Sequence, residues 1–145
     1  MANPLVPQGT ISRLRASVVF DDYPNLNITA SWLAPEGISI TFEGDATDVL
    51  DTMTGVVTSP APYQKALLEV GLVRSVPFTD QFKQQIESNS VVGDFTLWPD
   101  APALSNYVLL NGSLVNLQPG AMNGKKVDLV LTMRALYPIN SDLFT

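Results

Sequence analysis

The chain contains no cysteine and no histidine in its 145 residues. Without thiols there is neither a disulfide framework nor a thiolate metal site. Without imidazole, the usual general base, the commonest zinc ligand and every Ser-His-Asp or Cys-His arrangement are excluded. Charge is also scarce. Charged residues make up 15% of the chain, against roughly 25% in an average soluble domain. With hydrophobic residues at 46%, more of the surface must be neutral or apolar, which suits a protein covered by neighbours. Apolar runs fall far short of the ~20 residues of a membrane helix. Residues 1–12 (MANPLVPQGTIS) lack both a positive and an apolar signal region and are interrupted by two prolines, so a soluble protein used without export is expected.

Basic residues are missing from one long stretch. None lies between Arg15 and Lys65, where Asp21, Asp22, Glu36, Glu43, Asp45, Asp48 and Asp51 fall, half of the 14 acids. The formal net charge is −6. Such a field repels nucleic acid and keeps the surface solvated. Lys125 and Lys126 are the single basic cluster, in an expected turn, so no nucleic-acid patch is indicated.

What the chain does have is alternation. Leu14, Ala16, Val18 and Phe20 form one apolar stripe, Ile28, Ala30 and Trp32 a second, and Ile38, Ile40 and Phe42 a third. Ala66, Leu68, Val70 and Leu72 form another, and the longest runs from Val127 to Tyr137. Period two is the mark of half-buried strands. Phe95 and Leu97 mark a short strand, and 105–118 reads as two strands turning at Asn111-Gly112. With turn signals between them, about eight strands at this spacing predict a mostly β sandwich or barrel in a single domain, residues 1–145.

Two segments break the pattern. In 77–89 Phe78, Phe82 and Ile86 recur every four residues, one face of a flanking α-helix that plugs an open side of the sheet. Ser75 or Thr79 would cap it, Pro77 suits its first turn, and Asp80 sits at its positive end. Residues 44–63 alternate poorly and read as a long loop, which orders against a neighbouring subunit or stays mobile.

Chemistry is hard to place on this chain. Asp45, Asp48 and Asp51 are spaced by three, whereas calcium loops place ligands at alternate positions. Two facing carboxylates would serve a glycosidase, but nothing singles out a pair among 14 acids. No nucleophile elbow, P-loop or dinucleotide fingerprint occurs. No catalytic residue, cofactor or metal site is therefore expected. Trp32, Trp98, Tyr63 and Tyr107 would make an aromatic sugar platform, but Trp32 shares the stripe of Ile28 and Ala30 and reads as core. Trp98, next to Pro99, is the better candidate for an interface.

Three stretches carry a resemblance. The opening MANPLVPQGTISRLRASVVF, the run EGISITFEGDATDVLDTMTGVVTSPAPYQKALLEV, and the long last strand with its NSDLFT tail are similar to tail tube proteins of contractile-tailed bacteriophages. The resemblance spans essentially the whole chain and rests on order and phrasing, with no invariant motif. It implies two packed sheets with one flanking helix, and subunits in hexameric rings whose sheets join to line an inner barrel. Rings would stack through the 44–63 loop, an N-terminal arm (1–12) and a C-terminal tail (138–145). Tube proteins of type six secretion systems are similar in architecture.

The implied partners are further copies, the tail sheath, baseplate and tail terminator proteins, and a tape measure protein and genomic DNA in the lumen without specific binding. No membrane is implied. The implied location is the virion tail, assembled in the host cytoplasm. On this resemblance Glu43, Asp45 and Asp48 are candidate lumen acids, and Asp51, Met53, Val56, Val57 and Tyr63 candidate inter-subunit residues. A tube-initiating or tube-terminating ring of the same fold is one alternative. A monomeric β-sandwich that binds carbohydrate is the other.

Overall fold

Each long stripe of alternating residues becomes a strand with one face turned inward. The computed structural model describes residues 9–75 and 77–143, with the backbone alone at residue 78. The first eight residues of the expected N-terminal arm, the last two of the C-terminal tail and the Phe78 side chain lie outside the described residues.

Among the described residues eight strands and one α-helix follow in chain order: β1 (Ser17–Phe20), β2 (Leu33–Glu43), β3 (Thr47–Asp51), β4 (Val56–Pro60), β5 (Tyr63–Val73), α1 (Asp80–Ser88), β6 (Val91–Trp98), β7 (Tyr107–Gln118) and β8 (Asp128–Pro138). Six of them form one antiparallel sheet in the order β1-β6-β7-β8-β5-β2. Its β5–β8 ladder runs without a register break from Tyr63 opposite Pro138 to Val73 opposite Asp128. Among the described residues β3 and β4 pair only with each other.

The six-stranded sheet curls, and its inner faces meet in one core. Val18 and Phe20 from β1 meet Phe95 and Leu97 from β6. Leu109 and Leu114 from β7 pack with Leu129, Leu131 and Met133 from β8, and with Ala66, Leu68, Val70 and Leu72 from β5. Removing each of these larger side chains from water contributes about 1.5–3 kcal/mol. The mostly β sandwich or barrel is present, its packed layers supplied by one curled sheet. The flanking helix is present too. A 3₁₀ turn at Pro77–Thr79 leads into α1, which buries Phe82 and packs Ile86 against the core. Its first turn carries Asp80, and Asn89 ends it by donating its backbone N–H to the Gln85 carbonyl.

Several local expectations are corrected. Residues 105–118 are not a hairpin: β7 continues through Asn111-Gly112 as one strand with a shift of register. Asn111 adopts the left-handed conformation there (φ 53°), and the aromatic ring of Phe95 lies directly against Gly112, where a Cβ would collide. The kink is a bulge that admits a neighbouring ring. The stripe through Ile28 and Trp32 is no strand. Ile28 makes a single bridge to Val18, and Ala30–Trp32 turn as a 3₁₀ helix, with Trp32 half-buried against the core. β1 begins only at Ser17, and Leu14 is exposed. The excursion at 44–63 holds two strands of its own. These carry no inward stripe because no face of them is buried.

Candidate assembly surface

Gly44 turns the chain out of the sheet at the end of β2, in a positive-φ conformation (89°) that suits glycine. β3 and β4 then form a hairpin, with Asp48 opposite Ser59, Leu50 opposite Val57 and Asp51 opposite Val56. The Thr52 N–H donates to the Gly55 carbonyl across the tip, at 2.8 Å. Every side chain in the two strands except Pro60 is exposed. On one face stand Asp48, Leu50, Val57 and Ser59, and on the other Val49, Asp51, Val56 and Thr58. Met53 at the tip is fully exposed. Apolar side chains therefore cover both faces of a two-stranded ribbon, an element that is only marginally stable on its own.

The base of the hairpin is held firmly. Asn140, in a left-handed conformation (φ 53°), donates from Nδ2 to the Ala61 carbonyl at 2.7 Å and to the Ala46 carbonyl at 3.2 Å. The Ala61 N–H donates to the same Ala46 oxygen, Gln64 Nε2 to the Gly44 carbonyl, and the Ile139 N–H to the Pro62 carbonyl. The segment after β8 thus clips the ribbon's two legs together. Beneath it, Phe42, Tyr107 and Tyr137 form a three-ring cluster with centroids 5.0–5.9 Å apart. The clip is a feature that strand periodicity does not show. The usable signal was the pair Asn140-Ser141, since asparagine readily takes left-handed backbone in turns.

The candidate residues fall into distinct places. Asp51, Met53, Val56 and Val57 lie on the hairpin and are exposed, with Tyr63 at its root. Asp45 and Asp48 are also exposed on the excursion. Glu43 differs, because on the outer face of the sheet its carboxylate accepts from Arg134 Nη1 at 2.9 Å. Its charge is largely offset. Trp98 ends β6, exposed to 39%, and lines a groove of about 1070 Å³ between the two edges of the sheet. That groove is walled by Leu33, Ile38, Ile40 and Tyr107, with Arg13, Glu36 and Asp100 among its lining. Among the described residues β2 pairs with β5 alone, and its other edge carries no strand.

Among the described residues no cluster of three His, Cys, Asp or Glu side chains stands close enough to hold a metal ion. No helix among them is long and apolar enough to cross a membrane. No family model matches the chain, and no curated protein sequence matches it.

Proposed function

We propose that this chain is a structural, non-catalytic subunit that assembles with copies of itself into stacked rings, hexameric by resemblance, forming the inner tail tube through which phage DNA is ejected. The observation that carries this reading is the projecting hairpin, whose exposed valines and leucine on both faces fit a site made by another subunit. The outer edge of β2, which carries no strand among the described residues, supports it as well, since such an edge is a template for strand pairing with a neighbour. The low charge and the resemblance of the three quoted stretches agree with it. In the assembled tail the sheath would surround the tube, baseplate and terminator proteins would close its ends, and the tape measure protein and DNA would occupy the lumen. An acidic lumen would repel phosphates and let DNA slide.

Negative-stain imaging of the purified, concentrated protein tests the reading. Rings or tubes are expected. A protein that remains monomeric at high concentration and forms neither would overturn it. Replacing residues 46–61 by a short turn should leave a folded domain that no longer stacks.

A further inference from the structure

The hairpin and the loop at the far end of the sheet are chemical complements. The β5–β8 ladder separates them: the hairpin leaves from the end marked by Tyr63 and Pro138, and Val73 and Asp128 mark the other. Ten strand steps at ~3.3 Å place those ends about 33 Å apart. At the far end Arg74 organises the 119–127 loop. Its Nη1 donates to the Ala121 carbonyl at 2.7 Å, and its backbone N–H to the Val127 carbonyl, also at 2.7 Å. Lys125 and Lys126 stand exposed on that loop. Neither makes an ion pair among the described residues.

The nearby acids are partly occupied. Glu87 pairs with Lys83 at 3.9 Å, and Asp80 accepts from Gln84 Nε2. Beside the loop is a groove of about 660 Å³ with an apolar lining that includes Ile86, Leu117, Met122 and Leu129, and with Arg74 and Lys83 beside Asp80 and Glu87. Met122 is 85% exposed.

We propose that the hairpin of one copy inserts into this groove of the next, with Asp48 and Asp51 meeting Lys125 and Lys126, so that copies stack head to tail along the strand direction. The inference rests on the tube reading and adds the receiving surface. Two observations favour it. Each face of the ribbon carries two aliphatic side chains and one aspartate, so a groove covers it better than a flat patch. The larger groove beside Trp98 presents Glu36 and Asp100 to an incoming acidic ribbon against Arg13 alone, whereas here Arg74 and Lys83 match Asp80 and Glu87 in number and the exposed Lys125 and Lys126 stand on the adjoining loop. Opposite charge favours the right contact, and like charge penalises the wrong one. A contact between different surfaces of identical copies that does not close on itself generates an open filament, as stacking along the strand direction requires. Asp48 is thereby assigned to the stacking contact and not to the lumen.

Charge exchange tests the proposal. Asp48→Lys with Asp51→Lys, and separately Lys125→Glu with Lys126→Glu, should each lower the sedimentable, tube-forming fraction at least about tenfold. Circular dichroism should show both variants folded. All four substitutions in one chain should restore tubes to within about threefold of the unmodified protein. Tubes that form equally well in either reversed variant, or fail to return in the combined one, would overturn the pairing while leaving the tube reading intact. An unmodified protein that never forms tubes would remove both.

Discussion

The curled sheet and the hairpin are both antiparallel β-structure, yet they are stabilised in opposite ways. In the sheet every strand turns one face into a shared core, and the buried side chains of β5 and β8 meet across the ladder. In the hairpin nothing is buried, although Val49, Leu50, Val56 and Val57 are as apolar as many core residues. The first region is satisfied by its own chain. The second has its apolar surface in water and is held by its own chain through hydrogen bonds along the ribbon and at its root. Substitutions should therefore separate the two regions cleanly: folding energy belongs to the sheet and, on the proposed function, association to the ribbon.

The largest effect is expected at Phe95, which is buried and packs on Phe20 with ring centroids 5.4 Å apart. Phe95→Ala should cost about 3–5 kcal/mol, read from the midpoint of denaturant unfolding. Gly112→Ala comes next. A methyl group there meets the Phe95 ring and lies 2.7 Å from the Gly93 carbonyl oxygen, so a loss of about 1–3 kcal/mol is expected. Asn140→Ala removes two hydrogen bonds at the root of the hairpin and should lower global stability by only about 1 kcal/mol. Its signature is local: faster amide exchange across 47–60, with the β5–β8 ladder unchanged. Smallest in stability is Leu50→Ser with Val57→Ser, which should shift unfolding by less than about 0.5 kcal/mol. The same variant should lose tube formation. A large stability loss there would show that the ribbon is covered within its own chain, and the contrast would fail.

The same contrast explains what was readable from sequence. β5 and β8 were plain because half-buried strands must alternate, and Ala66 to Leu72 and Leu129 to Ala135 do so. The helix was legible from Phe82 and Ile86 for the equivalent reason at a period near four. β3 and β4 were invisible to that test, since a strand with both faces in water has no inside to mark. Their signal was composition alone, the β-branched and aliphatic pairs Val49-Leu50 and Val56-Val57. Asn111-Gly112 misled in the other direction. A dipeptide that favours hairpin turns in isolation was absorbed as a bulge, because β7 has partners on both sides that continue past it. The candidate site was legible as a segment. The Asn140 clip and the pairing of Glu43 with Arg134 were not, because they join residues 79 to 94 positions apart.

The clip at Asn140 has a mechanical meaning as well. Five strand residues beyond the root make the ribbon a lever of roughly 17 Å, so a tilt of about ten degrees at its base moves Met53 by about 3 Å. Two hydrogen bonds to carbonyls on opposite legs resist that swing directly at the fulcrum. The aim of the tip is therefore set by a side chain some ninety residues away from it in sequence, in the segment that follows the last strand.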